Sequence, residues 1–218
     1  IFEKATSHGW WYRSNNWYMS NCDIRDNGGN GIDHQTANRG SLWLYATKVH
    51  HNGGHGWDLD RTNTIMHNCL FYRNGGSGVL QQSNSGYATV TNCTFYANTS
   101  DGWTGKDAAN RNPVTIMNNT FVSNGGYGYA AKDTDRQALM VSHNHHYGNT
   151  SGATEVTDAL GVDLITGDPL FTTTTDGSED LAPTANSPLI NAGPHGMTIG
   201  AVPLVSGGGG GGTVGFAI

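Results

Sequence analysis

Short runs of alternating apolar and polar residues, separated by bends and glycine-rich turns, recur at a near-constant spacing along this chain. Four of the turns have the full pattern Asn-Gly-Gly-x-Gly, and two of these stand within the similar stretches NCLFYRNGGSG and NNTFVSNGGYG. Aligning the chain on the asparagine before the glycines gives repeats of 22 to 26 residues. The aligned residues are Asn27, Asn52, Asn74, Asn98, Asn124 and Asn149. Self-similarity at this period predicts a solenoid of stacked coils.

Within each repeat, apolar residues occur at every second position, which is the spacing of a β-strand. Between two of the runs this step becomes three, and asparagine often stands at that point. Because asparagine tolerates the left-handed backbone conformation, we predict a bend there. The predicted bends are Asn21, Asn68, Asn92 and Asn118. Each coil is therefore strand, bend, strand, glycine-rich turn and strand, with the turn asparagines stacked as a hydrogen-bonded ladder.

This pattern resembles the right-handed parallel β-helix superfamily, which includes pectate-lyase-like proteins and bacteriophage β-helix spike and surface proteins. The motifs GDPLF, NSPLINAG and IGAVP near the C-terminus resemble the closing coil of that superfamily. The resemblance implies an all-β fold, a right-handed single-stranded parallel β-helix (solenoid) of about six regular coils plus a C-terminal cap. The handedness comes from the resemblance alone.

Four regions are expected along the chain. They are an opening segment at 1–14 that continues a missing upstream part, β-helix coils at 15–160, a closing coil or cap at 161–203, and a Gly-rich linker with an apolar tail at 204–218. The tail ends in Val214, Phe216 and Ile218, and two interpretations of it stay open. Either it is disordered, or it adds as a strand to its own helix or to a neighbour.

The amino-acid composition limits the classes of binding partner that we expect for this chain. Only 11 Lys and Arg stand against 17 Asp and Glu, so the basic footprint of a nucleic-acid-binding protein is not expected. No apolar run approaches the ~20 residues of a membrane-spanning helix, so no membrane span is expected. A rigid solenoid of this kind suits an extracellular, cell-surface or virion location. Self-association into a trimer or higher assembly through the tail is one expected partnership, and polysaccharide is another.

The strand after each glycine turn directs a stripe of polar residues outward. Asp33, Asp58 and Asp60 could hold Ca²⁺ through carboxylate oxygens. The segment GWDLD resembles the Asp-bearing coil of family-nine-type pectate lyases. That resemblance implies a Ca²⁺-dependent lyase that cleaves a polyuronate by β-elimination, with Lys106 as general base and Arg61 as a second catalytic residue. In GWTGK, however, the lysine stands two positions later than in that family, and the alternative is a solvated face whose charges discourage sheet association.

Aromatic residues on strand positions provide the second functional signal. Tyr72 and Tyr96 stand one step past an inward column and should point outward. With Gln82 and Lys132 they are candidate substrate-binding residues for a glycan; equally, such rings could form the buried contact of a trimer. Two groups of histidines are not expected to supply three convergent metal ligands: one coil contains His50, His51 and His55, and a later coil contains His143, His145 and His146.

These patterns favour a non-catalytic structural or attachment module of a virion or cell surface, with glycan contact and oligomerisation as open features. That function requires no cofactor. The alternative is the Ca²⁺-dependent polysaccharide lyase, which would require the ion.

Overall fold

The computed structural model describes residues 1–12, 16–34, 40–60, 62–82, 86–105, 114–131, 139–155 and 164–201. These residues form three parallel β-sheets that wind around one hydrophobic core, which confirms the right-handed parallel β-helix. The described strands of the three sheets number seven, seven and six, close to the predicted coil count.

The first sheet contains the strand that precedes each turn asparagine. Its strands, in stacking order, are β1 (Phe2–Glu3), β4 (Asp23–Arg25), β7 (Lys48–His50), β10 (Leu70–Tyr72), β13 (Thr94–Tyr96), β16 (Thr120–Val122) and β19 (His145–Tyr147). Like positions pair between coils, since Phe71 lies beside Val49 on one side and Phe95 on the other. The rings of Phe71, Phe95 and Phe121 stack with centroids 5.3 and 4.8 Å apart, so the sheet contributes a continuous column to the core.

The second and third sheets complete each coil. The second sheet contains β2 (Trp10–Tyr12), β5 (Ile32–His34), β8 (Trp57–Leu59), β11 (Val79–Gln81), β14 (Trp103–Gly105), β17 (Tyr127–Ala131) and β20 (Gly152–Thr154). The third sheet contains β3 (Asn16–Ser20), β6 (Gly40–Tyr45), β9 (Thr62–His67), β12 (Ala88–Thr91), β15 (Val114–Met117) and β18 (Leu139–Ser142). Trp57 and Trp103 fill the interior from the second sheet and are fully buried.

The predicted asparagine ladder runs the length of the stack. The side-chain nitrogen of Asn52 donates to the oxygen of Asn74 at 3.0 Å, and Asn74 donates in the same way to Asn98 at 3.0 Å. Each side chain also donates to a backbone carbonyl, as Asn52 does to Ile24 at 3.2 Å. Because buried amides must be hydrogen-bonded, the ladder satisfies groups that a coil corner would otherwise leave without partners.

Positive φ angles occur twice in each coil. The predicted bends at Asn21, Asn68, Asn92 and Asn118 have φ of 52 to 60°, which confirms them. A second column, immediately before the ladder asparagine, was not expected from the sequence. It contains Asp26, His51, Arg73, Ala97 and Ser123. The turn glycines are required for a different reason: a Cβ on Gly56 would lie 2.4 Å from the carbonyl oxygen of Gly78 in the next coil.

The C-terminal segment (residues 164–201) lies along the side of the stack. Ile165 still forms one parallel bridge with His145, and the chain then leaves the coil path. Strands β21 (Phe171–Thr173) and β22 (Asp180–Pro183) form an antiparallel hairpin, followed by a short 3₁₀ turn at Pro194–Gly196. The segment predicted as a closing coil therefore covers the outer face of the first sheet around Tyr72, Tyr96 and Val122.

Apolar contact and backbone hydrogen bonds attach this segment. Leu181 is 2% exposed and packs in a cluster with Tyr72, Tyr96 and Val122 of the first sheet. Further along, the Gly200 nitrogen donates to the Asn118 carbonyl at 2.9 Å. Gly200 has φ of +85° and a Cβ there would lie 2.6 Å from Thr120 Oγ1, so only glycine fits.

Candidate functional site

The outer face of the second sheet brings together some of the predicted acidic residues. Asp33 and Asp58 are direct register neighbours on adjacent strands. Asp33 is only 2% exposed, and its Oδ2 lies 3.0 Å from His8 Nε2. Asp58 is partly exposed and its Oδ1 accepts a hydrogen bond from Gln82 Nε2 at 2.8 Å. Two carboxylates of the proposed Ca²⁺ set thus share one surface, although each already has a polar partner.

The other predicted residues of this stripe divide into two groups. Asp60 is partly exposed, and its backbone carbonyl contacts His34 Nδ1. Arg61, Lys106 and Lys132 lie outside the described residues. The predicted lyase roles of Arg61 and Lys106, and the substrate role of Lys132, therefore stay predictions.

Tyr72 and Tyr96 lie on the outer face of the first sheet, but the C-terminal segment covers them. Tyr72 is 5% exposed and Tyr96 is 9% exposed. The Tyr96 ring meets Phe171 edge-on, with centroids 5.9 Å apart, and Tyr72 stacks on His50 at 4.3 Å. Burial raises the pKa of the Tyr72 hydroxyl well above its ordinary value, so this group stays protonated. The surface that we expected these rings to offer to a sugar is occupied by the chain's own residues.

A pocket of about 440 Å³ opens between the hairpin loop and strands β4, β7 and β10 of the first sheet. We call it the corner pocket and define it by its lining residues, most of which are acidic or basic. These are Asp23, Arg25, Asp26, Lys48, His50, His51, Tyr72, Asp176, Gly177, Ser178 and Glu179. Glu179 has a side chain only 2% exposed and forms a close ion pair with Arg73 Nε. Asp176, which is 70% exposed, lies 3.6 Å from the same nitrogen.

Hydrogen bonds link four titratable side chains across this pocket. Asp23 Oδ1 lies 2.9 Å from His50 Nε2, and the Nδ1 atoms of His50 and His51 lie 2.7 Å apart. This series of hydrogen bonds ends at Asp176, whose Oδ1 lies 2.7 Å from His51 Nε2. Burial lowers the pKa of His50, although the Asp23 carboxylate acts in the opposite direction.

The outer face of the third sheet carries a group of rings that we call the aromatic face (Tyr18, Trp43 and Tyr45). Tyr18 pairs in register with Trp43, and its ring centroid lies 5.5 Å from that of Tyr45 at a tilt of 30°. Tyr18 is 65% exposed, while Trp43 and Tyr45 are partly exposed. His67 extends the group, with its ring 6.0 Å from Tyr45. Tyr18 and Trp43 are register neighbours and Tyr45 lies two residues beyond Trp43, so the sheet holds all three side chains on one face.

The described strands around the aromatic face carry polar but no charged residues. None of the described strands of the third sheet contains Asp, Glu, Lys or Arg. Asn16 accepts a backbone hydrogen bond from Ser41 at 3.0 Å, and Asn63 accepts one from Tyr87 at 3.2 Å. Each asparagine thereby uses its side-chain oxygen, and within the described chain its amide N–H groups have no partner. The face combines ring surfaces with donors along its border.

Comparison with known proteins agrees with this architecture. Residues 10–165 match the family described as the right-handed β-helix region. The chain belongs to this family. No curated protein matches the sequence. Among solved structures, this β-helix is similar to a mutant of the periplasmic alginate epimerase AlgG, with a TM-score of 0.55 and 18% sequence identity. The match covers 76% of this chain and 49% of the epimerase, so the chain spans about half the length of that protein. At this identity the likeness shows the fold.

Sequence reasoning missed the corner pocket of this β-helix. It grouped His50 and His51 with His55, yet His55 Nδ1 accepts a backbone hydrogen bond from Ser77 within the glycine turns. The partners of His51 lie in the hairpin loop, outside the repeat, and Asp176 is 125 residues away. A signal was present in the acidic TDGSED run between the two hairpin strands, but nothing periodic connects it to a coil.

Among the described residues, no helix could span a lipid bilayer.

Proposed function

We propose that this β-helix is a non-catalytic attachment module of a cell surface or virion that binds a neutral glycan on its aromatic face. The observation that carries the proposal is the uncharged aromatic face, on which Tyr18 is exposed and Trp43 and Tyr45 are partly exposed. Sugar rings present flat C–H surfaces, which pack well on the faces of aromatic rings. Tyr and Trp also carry one polar group that can form a hydrogen bond. The bordering amide and hydroxyl groups can bind the sugar hydroxyls.

Charge distinguishes a neutral glycan from a polyuronate. The chain has a formal net charge of −6, and the outer face of the second sheet carries the partly exposed Asp58 beside Asp33, which is buried against His8. A polyanion would therefore be repelled from much of the molecule unless a cation intervened. The third sheet offers no such barrier, because its described strands lack acidic residues. A long, straight solenoid also suits a linear polymer that runs along several coils.

The test is a binding screen of the full chain against neutral and acidic polysaccharides, followed by calorimetry on any that bind. Trp43→Ala and Tyr18→Ala should each weaken binding about tenfold or more, because aromatic residues dominate such contacts. Tyr147→Ala is the matched control, since this tyrosine is 40% exposed on the first sheet. Undiminished binding by both aromatic-face variants, or equal loss in the Tyr147 variant, would contradict the proposal.

The Ca²⁺-dependent lyase remains the second candidate because Asp33 and Asp58 are adjacent across two strands. Strands in a sheet are about 4.8 Å apart, a spacing at which two carboxylates can share one Ca²⁺. A lyase would release an unsaturated, ultraviolet-absorbing product from a polyuronate, and chelation or Asp58→Asn would abolish it. Such a product would replace the non-catalytic proposal. Its absence with every polyuronate, in the presence of Ca²⁺, would eliminate the lyase.

Self-association through residues 204–218 is part of the same proposal, because a multivalent assembly strengthens weak glycan binding. That region lies outside the described residues. Sedimentation of the full chain and of a chain shortened to residue 203 tests it. We expect a trimer or higher oligomer that the truncation dissociates, and an unchanged assembly state would show that the tail is not the contact.

A further inference from the structure

We infer that the corner pocket is a binding site for a divalent transition metal, with Zn²⁺ as the ion that fits best, held by His51, Asp176 and Glu179. The ligand atoms of these three residues all lie within 4.8 Å of one another. His51 Nε2 is 2.7 Å from Asp176 Oδ1 and 3.7 Å from Glu179 Oε1. The inference concerns a different surface from the aromatic face and is independent of the proposed glycan binding.

The distances between the ligand atoms in the pocket are close to those found around a tetrahedrally coordinated metal ion. Zinc lies about 2.0–2.2 Å from nitrogen and oxygen ligands, which places neighbouring ligand atoms about 3.3 Å apart. Two of the distances, 2.7 and 3.7 Å, fall on either side of this value, and the third pair of ligand atoms lies within 4.8 Å, so shifts of about 1.5 Å or less are sufficient. Asp176 can make such a shift, since it lies in the loop between β21 and β22 and is 70% exposed.

The chemistry of the donors favours zinc over calcium. One imidazole and two carboxylates form a mixed nitrogen and oxygen set, which suits zinc and neighbouring first-row ions. Calcium prefers six to eight oxygen ligands, and a histidine in a set of three does not provide them. The open side of the pocket leaves a fourth position for water.

A second layer of contacts orients the histidine. His51 uses Nδ1 toward His50, and His50 in turn uses Nε2 toward Asp23. The His50 ring is held by parallel stacking on Tyr72, at 4.3 Å and 8°. Metal-binding histidines are commonly oriented by a hydrogen bond on the other ring nitrogen. Here that bond directs His51 Nε2 at the two carboxylates.

Arg73 is the competitor for the same carboxylates. In the structure its Nε contacts Glu179 closely and lies 3.6 Å from Asp176, so it neutralises the acids that a metal would bind. It also has contacts that do not depend on them. Its Nη2 donates to the Thr174 carbonyl at 2.8 Å, and its Cζ lies 5.7 Å from the Tyr96 ring centroid. The side chain can therefore release the carboxylates while staying attached, and removing its charge should strengthen metal binding.

The experiment is calorimetric titration of chelator-treated full chain with zinc chloride, with Ca²⁺ titrated separately. We expect one saturable Zn²⁺ site per chain and much weaker Ca²⁺ binding. His51→Ala and Glu179→Gln should each lower the affinity at least about tenfold, while Arg73→Gln should raise it. His195→Ala is the control for adventitious surface binding, because that histidine is exposed and outside the pocket.

A second readout covers variants that fold poorly. Asp176→Asn alters an exposed loop residue and should also reduce zinc affinity without loss of the fold. Zinc should raise the melting temperature of the original chain, since the metal would join the hairpin to the first sheet, and should not do so for the Asp176 variant. Absence of saturable binding, or binding retained by both the His51 and Asp176 variants, would overturn the inference. An equal loss of zinc affinity in the His195→Ala control would also overturn it.

Discussion

The outer faces of the first and third sheets are built by the same repeat, yet one is covered and the other is bare. Tyr72 on the first sheet is 5% exposed beneath the C-terminal segment, whereas Tyr18 on the third is 65% exposed. The covered face is bordered at its corner by His51 and Arg73, which bind acids of the hairpin loop. The third sheet has no charged residue in its described strands. In a solenoid, therefore, the repeat decides which way a side chain points, and the non-repeating segment decides whether it meets solvent.

The largest expected effect compares the two tyrosines directly. Tyr72→Ala should destabilise the protein by about 3 kcal/mol, because it leaves a cavity between the hairpin and the sheet. Tyr18→Ala should change stability by less than about 0.5 kcal/mol, as expected for a surface site. Urea unfolding monitored by circular dichroism measures both. Equal losses in the two variants would mean that the C-terminal segment does not cover Tyr72 in solution.

An intermediate effect concerns acid sensitivity of the first sheet. His146 ends the phenylalanine column, stacked on Phe121 at 4.8 Å, and burial lowers its pKa from 6.5 to about 3, with the charge of His145 adding to the effect. The unfolded chain thus takes up this proton near pH 6.5 while the folded chain does not until about pH 3. Stability is therefore lost as the pH falls through this window, by about 2 kcal/mol at pH 5.

His146→Phe should remove that loss. We expect the variant to gain about 2 kcal/mol over the original chain at pH 5, relative to the difference measured at pH 7.5. Urea unfolding at the two pH values provides the comparison. A stability difference that does not depend on pH would mean that His146 is not held neutral by burial.

The smallest expected effect concerns the hairpin loop. The hydrogen bond from His51, followed by the charge of Arg73, holds the pKa of Asp176 below its ordinary value of 3.8. The Asp176 carboxylate therefore contributes its full stabilisation at pH values above the ordinary pKa. This stabilisation is lost as the pH falls through the lowered pKa of the folded state. Asp176→Asn should speed amide hydrogen exchange in β21 and β22 at neutral pH, and the difference should shrink in strong acid.

Asp180→Asn is the matched control, since it alters an exposed acid of the same hairpin whose carboxylate accepts a hydrogen bond from the Ala182 backbone. Its exchange rates should not follow the same acid dependence. If the two variants behave alike, the contact between His51 and Asp176 does not hold the loop.

Much of the coil was predictable because each inference depended on spacing within one repeat. The left-handed bends at Asn21 and Asn68, and the ladder through Asn52 and Asn74, are placed as the aligned columns indicate. The outward direction of Asp58 followed from strand alternation in the same way, whereas the burial of Asp33 beside His8 did not. That burial depends on a contact between coils that a column alone does not specify.

By itself, the sequence determined the solenoid, its stacked columns and the alternation of inward and outward positions along the strands, because strand alternation and coil period are local properties that repetition reinforces. Only the tertiary structure decided which outward residues are accessible and which acids meet which bases. The hairpin carrying Asp176 and Glu179 folds back across several coils to His51 and Arg73. Contacts that join residues more than 100 positions apart leave no periodic trace, since they depend on where an irregular segment finds enough apolar surface and complementary charge to bind.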